Sequence, residues 1–125
     1  KYGKKWDEKA EREVISYLKL DQVEGLTVLG GEPFENPIGL LKALRNIKKE
    51  VVKPIWVYSG FVFENLANMG KSREILEEID VLVDGEFIEE LKDLRLSFRG
   101  SSNQRIIDVR KSLENNKVIL LTGYK

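Results

Sequence analysis

The sequence predicts a single α/β domain in which short buried strands alternate with helices. Apolar runs at 26–29, 55–58 and 81–83 have strand length, and each is followed by glycine or polar residues. Helical apolar spacing fills the stretches between them, an alternation typical of parallel βαβ units. A chain of 125 residues can bury one core. We therefore predict one domain over residues 1–125.

The first half of the chain is predicted to run helix, strand, helix, strand. Asp7 is a suitable N-cap for an opening helix whose apolar residues repeat at helical spacing. After the strand at 26–29, Asn36 and Pro37 form an N-cap followed by proline at the first helical position. These signals predict a second helix that leads into the strand at 55–58.

The predicted elements of the second half are shorter. In chain order they are helices starting near Phe63 and Ser72, a strand at 81–83, a short helix at 86–91, and strands at 106–109 and 118–121. A polar turn at 114–117 lies between the last two strands. Because a parallel βα array normally opens on a strand, we expect a further strand before residue 1.

Composition limits the function classes. Lys+Arg and Asp+Glu number 21 each, which argues against a nucleic-acid surface that neutralises phosphates. No apolar run approaches the roughly 20 residues that cross a bilayer, and no signal peptide is evident. We therefore expect a cytoplasmic protein with neither a nucleic-acid nor a membrane partner.

The sequence contains no cysteine and no histidine. It therefore offers no thiolate for a metal or a nucleophile, and it lacks the commonest general base at neutral pH. The 125 residues by themselves are poorly equipped for catalysis.

Glycine and polar residues follow each of the three predicted strands. The segments are Gly30-Gly31-Glu32, Ser59-Gly60 and Asp84-Gly85-Glu86. Parallel βα folds bind ligands at the carboxyl ends of their strands, so we expect these segments to converge on a pocket for a small polar ligand. The alternative for each segment alone is an ordinary turn.

A dense polar cluster, Arg99 to Gln104, lies between Phe98 and Ile106. Arginine suits a carboxylate or phosphate, and the serine, asparagine and glutamine side chains of this cluster can hydrogen-bond a nucleoside. The alternative is an exposed loop without a ligand. The aromatic residues Trp56, Phe61, Phe63 and Phe87 are predicted to belong to the core.

These segments together resemble one family. Gly30-Gly31-Glu32-Pro33 resembles the motif of radical S-adenosylmethionine enzymes. The runs Ile55 to Gly60, Asp80 to Phe87 and Arg99 to Arg105 narrow the resemblance to the activating proteins of anaerobic ribonucleotide reductase. The likeness extends over nearly the whole chain, in order and with matching spacing.

The resemblance implies an incomplete (β/α) barrel of the radical S-adenosylmethionine type. In the family, a first strand leads into a loop with three cysteines that hold a [4Fe–4S] cluster. The cluster cleaves S-adenosylmethionine, and the resulting radical takes a hydrogen atom from a glycine of the large reductase subunit. The implied partners are that subunit and a flavodoxin or ferredoxin-type electron donor.

The resemblance also places the site residues. Gly30 and Gly31 would offer backbone to the methionine amino group, and Glu32 would assist there or near the ribose. Ser59 and Asp84 are implied at the cofactor or partner face. So are the polar-cluster residues, which include Arg99, Ser101 and Asn103.

The missing cysteines are a departure from the family, because cluster ligation needs thiolates. In the family the cysteine loop lies just before the position of Lys1, so we expect the first strand and cluster loop to be missing from this sequence. Two alternatives remain open at this point. One is another short radical enzyme acting on a small molecule, such as a deazaguanine synthase. The other is a cysteine-free, non-catalytic module that docks on the reductase.

Overall fold

The computed structural model describes residues 8–28 and 32–123, which form a mixed α/β fold around one open sheet. The helices are α1 (Glu8–Leu18), α2 (Pro37–Glu50), α3 (Phe63–Leu66), α4 (Gly70–Leu76) and α5 (Val109–Asn115). The strands are β1 (Leu26–Val28), β2 (Ile55–Ser59), β3 (Val81–Asp84) and β4 (Arg105–Asp108). Short 3-10 helices cover Pro33–Glu35 and Glu89–Leu91.

The four strands lie side by side in chain order, β1-β2-β3-β4. β1, β2 and β3 are parallel, and β4 is antiparallel to β3. The carboxyl ends of the three parallel strands therefore meet at one edge, where β4 begins. This edge is called the carboxyl edge below.

The main core fills the space between one face of the sheet and the helices. Val57, Leu82 and Ile107 from the central and last strands are fully buried there. Leu44 of α2 and Leu76 of α4 pack against them. The Asn36 side chain accepts a hydrogen bond from the Gly39 backbone N–H, at 3.4 Å, and so caps α2 as predicted.

The opposite face of the sheet carries a smaller apolar cluster built on Val81, Val83 and Ile106. Trp56 and Tyr58 of β2 pack against it and are half-buried. Leu121, which follows the last described helix, also packs against this cluster.

The α/β class and the first three strands are confirmed, whereas the end of the chain differs from the prediction. Residues 118–121 do not form a strand, because only Leu120 makes an isolated bridge, to Ile107. Val109, predicted as the end of a strand, instead begins α5, since the Asp108 carboxylate caps that helix by accepting from the Lys111 N–H. The predicted helix at 86–91 shrinks to one 3-10 turn.

The structure also tests the prediction that the aromatic residues belong to the core. Phe63 is buried as predicted, but Phe61 and Phe87 are 40% and 47% exposed, so the core prediction is wrong for both.

Within the described residues, no helix has the length and apolar character needed to cross a membrane.

Candidate functional site at the carboxyl edge of the sheet

Three of the predicted site segments meet at the carboxyl edge. Ser59 ends β2 and is the register partner of Asp84, which ends β3. Asp84 is in turn opposite Arg105, the first residue of β4. Polar side chains from three successive strands therefore lie in one row.

Glu32 extends this row toward β1. Its Oε2 accepts hydrogen bonds from the Phe34 N–H at 3.0 Å and from the Ser59 hydroxyl at 2.8 Å. Its Oε1 accepts from the Gly60 N–H at 2.7 Å. A carboxylate has about four acceptor positions, so these donors leave room for one more. Glu32 ties the segment after β1 to the end of β2.

Ser59 is the second half of this connection. Its buried hydroxyl donates to Glu32 and accepts from the Phe61 N–H at 3.0 Å. The backbone after β2 therefore turns around one serine oxygen. The turn residue Gly60 is exposed, and a Cβ built on it would lie 3.4 Å from Glu32 Oε1.

Asp84 is fully buried and is the centre of an ion cluster. Arg105 donates to it twice, from Nε to Oδ1 at 3.0 Å and from Nη2 to Oδ2 at 2.6 Å. The Phe63 N–H at the start of α3 donates to Oδ2 at 2.8 Å. Buried carboxylates require such partners, so Asp84 joins β3, β4 and α3.

Glu64 closes the cluster from the solvent side. Arg105 donates to its two carboxylate oxygens at 3.2 Å and 2.7 Å. The hydrogen bond from Arg105 is the main reason that the pKa of Glu64 is lowered. The hydrogen bonds that Arg105 donates to Asp84, and then to Glu64, raise the pKa of Arg105 above its ordinary value. The guanidinium therefore keeps its charge at every physiological pH.

The polar cluster 99–104 is folded on itself. The Gln104 side-chain oxygen accepts from the N–H groups of Gly100 and Ser101, at 2.9 Å and 3.1 Å. Its amide donates to the Gly85 carbonyl at 2.9 Å, and Arg99 donates to the Gln104 carbonyl at 3.1 Å. Gln104 thus fastens the loop to the chain that leaves β3.

Ser101 and Asn103 strengthen the same attachment. The fully buried Ser101 hydroxyl accepts from the Ile88 N–H at 3.2 Å and donates to the Asn103 oxygen at 2.6 Å. Asn103 donates to the Glu86 carbonyl at 2.8 Å. The loop is an organised scaffold beside the carboxyl edge.

The predicted site residues thus fall into three groups. Glu32, Ser59 and Asp84 come together, and the 99–104 loop is attached next to them. Gly30 and Gly31 lie outside the described residues. Arg105, which pairs with Asp84, and Glu64, which pairs with Arg105, were not predicted as site residues. An aspartate that ends a buried strand needs a cation, and this requirement is the signal that could have found Arg105.

The chain supplies no ligands for an iron–sulfur cluster. The sequence has no cysteine, and thiolates hold such clusters. Among residues 8–28 and 32–123, no three His, Cys, Asp or Glu side chains are grouped to hold a metal ion. The residues present therefore do not fit a [4Fe–4S] cluster.

Comparison with known proteins identifies the family. Residues 1–107 match a family model described as a 4Fe-4S single cluster domain. The anaerobic ribonucleoside-triphosphate reductase-activating protein of Pasteurella multocida is 38% identical over 109 residues, covering 83% of this chain and 69% of that protein. The chain belongs to the family of anaerobic ribonucleoside-triphosphate reductase-activating proteins.

Further relatives agree with that assignment. The Escherichia coli K12 protein of the same name is 33% identical over 113 residues, which cover 86% of this chain and 72% of that activating protein. The Vibrio cholerae activating protein is 36% identical over 110 residues, with coverage of 83% and 69%. No solved structure matches the chain significantly. The deazaguanine synthase alternative is not favoured by these relatives.

Proposed function

We propose that this chain takes part in generating a glycyl radical on anaerobic ribonucleoside-triphosphate reductase, with S-adenosylmethionine as cofactor and with a [4Fe–4S] cluster whose thiolates these 125 residues do not supply. Family membership supports the reaction, and the fixed position of Glu32 supports the cofactor site. The proposal includes the radical-enzyme partial barrel, of which the observed sheet would form part. It also includes the large reductase subunit and a flavodoxin or ferredoxin-type donor as partners, and a cytoplasmic location.

The observation that carries the cofactor proposal is the remaining acceptor position on Glu32. The carboxylate is oriented by Ser59 and Gly60 at the carboxyl edge, where βα folds bind their ligands. An ammonium group is a strong partner for an oriented carboxylate. Glu32 would therefore hold the amino group of the methionine portion, and Gly30 and Gly31 would offer backbone beside it.

The remaining predicted residues act by positioning. Asp84 is fully buried, so it would hold the start of α3 and the end of β3 without touching the cofactor. Ser59 would orient Glu32. Ser101, Asn103 and Arg99 would fix the loop at the partner face. S-adenosylmethionine, when bound, supplies the chemistry for removing a hydrogen atom, and the chain's own residues bind and orient it.

A second candidate is suggested by the absence of thiolates. A module that only docks on the reductase would need neither cysteine nor cofactor. The two candidates differ in whether S-adenosylmethionine binds, so one binding measurement separates them.

The test uses the full-length protein, prepared anaerobically, in three forms: wild type, Glu32→Gln and Glu35→Gln. Glu35 is the matched control, because it is an exposed glutamate in the 3-10 helix that Glu32 caps. We expect titration calorimetry to show S-adenosylmethionine binding that Glu32→Gln weakens by at least about fivefold, since a charge-assisted hydrogen bond is lost. Glu35→Gln should bind as the wild type does.

Electron paramagnetic resonance of the large subunit then tests the reaction. When a reduced flavodoxin or ferredoxin-type donor supplies the electron, a glycyl radical that requires both wild-type protein and S-adenosylmethionine supports the activating function. Binding of the large subunit without cofactor binding or radical formation would instead establish the docking module.

A further inference from the structure

We propose that four exposed apolar side chains beside the carboxyl edge form a docking surface for a polypeptide segment that carries apolar residues flanked by Lys or Arg. The side chains are those of Phe87, Leu91, Leu94 and Phe98, called the apolar patch below. They are 47%, 41%, 90% and 53% exposed, respectively. The inference rests on the proposed function in that we assign the segment to the large reductase subunit.

The patch lies on a stretch of chain whose two ends are joined. Lys92 and Ser101 form an antiparallel bridge, and the Ser102 N–H donates to the Leu91 carbonyl at 2.9 Å. A Cβ built on Gly100 would lie 2.8 Å from Cδ1 of Phe87, so the Phe87 ring rests on that glycine. The four residues therefore lie on, or directly beside, one closed stretch of chain.

Phe98 is held firmly although it is exposed. Its ring centroid lies 5.0 Å from that of Trp56, and its carbonyl accepts from the Tyr58 hydroxyl at 2.7 Å. Its φ of 63° is unusual for a bulky residue. A side chain fixed in this way needs little further ordering when a partner covers it, which favours binding.

Acidic residues outnumber basic ones in the segment that carries the patch. The segment 86–98 contains four acidic residues and two basic ones. Both basic residues are engaged within it, since Lys92 pairs with Glu89 at 3.8 Å and Arg95 pairs with Asp93 at 2.9 Å. Among the described residues, no ion pair involves the exposed Glu86 or Glu90. A partner with basic residues beside its apolar side chains is complementary in charge to this acidic segment.

The location suits a partner whose chemistry takes place at the carboxyl edge. Gln104 ties the loop to the Gly85 carbonyl, and Asn103 ties it to the Glu86 carbonyl. Both carbonyls immediately follow Asp84, a member of the polar row. A segment docked on the apolar patch would therefore approach the edge at which Glu32 is placed.

The test compares Leu94→Glu with Val52→Glu in the full-length protein. Both replace an almost fully exposed apolar side chain, 90% and 97% exposed, but Val52 lies before β2, at the opposite end of that strand. Calorimetric titration with the isolated large subunit should show that Leu94→Glu raises Kd by at least about tenfold, because the loss of an apolar side chain at the centre of an interface has an effect of this size. Val52→Glu should change Kd by less than about twofold, as expected away from the contact.

A second pair tests the charge. Glu90→Lys should weaken binding severalfold at low salt and less at high salt, because an exposed rim charge is screened. Glu114→Lys, at an exposed position of α5, should have no such effect. S-adenosylmethionine affinity should be unchanged in all four variants.

The other possible results of these binding measurements would overturn the proposed docking surface. Equal binding of the large subunit by Leu94→Glu, Val52→Glu and wild type would overturn the docking surface and leave the proposed function standing. Failure of the wild type to bind the large subunit would overturn both. Concentration-dependent dimerisation that only Leu94→Glu abolishes would show that a second copy of this chain is the occupant, and would also overturn the proposal.

Discussion

Asp84 and Arg105 face each other across the antiparallel pair β3–β4 and share two hydrogen bonds, of 3.0 Å and 2.6 Å. The Asp84 side chain is 1% exposed, whereas that of Arg105 is 31% exposed. The carboxylate is thus sealed inside the fold, and the guanidinium connects it to the surface.

Loss of this arginine should be strongly destabilising. Arg105→Gln leaves the buried Asp84 charge without its cation, and removing one partner of a buried pair costs about 3–5 kcal/mol. Urea unfolding at neutral pH measures the effect. Arg95→Gln is the control. It removes a bidentate ion pair of the same kind, to Asp93, but the Arg95 side chain is 82% exposed. Equal stability losses in the two variants would contradict the buried role of Asp84.

The contribution of Glu64 should depend on pH. Because Arg105 lowers the pKa of Glu64, the ionised carboxylate favours the folded state above the carboxyl's ordinary pKa. This contribution is lost as the pH falls through the lowered pKa. At neutral pH, Glu64→Gln should lower the free energy of unfolding by about 0.5 kcal/mol, since the pair is largely exposed. Once the pH lies below the lowered pKa of Glu64, both side chains are neutral and the difference should vanish. A difference that persists unchanged at that pH would argue against the ion pair.

Ser59 should affect both stability and cofactor binding. Ser59→Ala removes the hydroxyl that donates to Glu32 and accepts from Phe61. The unmet buried groups should cost about 1–3 kcal/mol, as measured by chemical unfolding. The exposed Ser102→Ala serves as the control and should be neutral. If Ser59 acts through Glu32, the effects of Ser59→Ala and Glu32→Gln on S-adenosylmethionine affinity will be non-additive; simple additivity would rule this coupling out.

Two glycines should respond to alanine in opposite directions. Gly85 has a φ of 101°, so Gly85→Ala introduces strain of about 1–2 kcal/mol. Gly70 begins α4, and a Cβ there would meet no atom within 4 Å. Gly70→Ala should therefore stabilise by about 0.4–1 kcal/mol, since it restricts the unfolded chain. Thermal melting of the two variants measures both signs, and a stabilised Gly85→Ala would exclude the strained turn.

The sequence predicted the parallel part of the sheet well because its signals are local. β2 and β3 are short apolar runs that end at polar residues, and Asn36-Pro37 marks the start of α2. The apolar run at 118–121 misled the prediction because strand formation depends on a neighbouring edge. The run shares two backbone hydrogen bonds with β4, but the Ile119 N–H donates to the Ser112 hydroxyl at 2.8 Å, and the pairing does not extend beyond one bridge.

The site could be predicted only in part for a related reason. Glycine and polar residues after parallel strands indicate where side chains gather, so Glu32, Ser59 and Asp84 were found. Pairing between Asp84 and Arg105 joins residues that are 21 positions apart, and no local pattern indicates such a contact. The apolar patch was missed because aromatic side chains are usually buried, and Phe87 was therefore predicted to belong to the core.

The order of the strands in the sheet has a consequence for how the chain folds. Each strand pairs with the one synthesised just before it, so the sheet can grow at a single margin as the polypeptide leaves the ribosome. Among the described strands, none has to be inserted between two that have already paired. Arg105 arrives with the last strand, so the Asp84 carboxylate acquires its cation only when the sheet is complete.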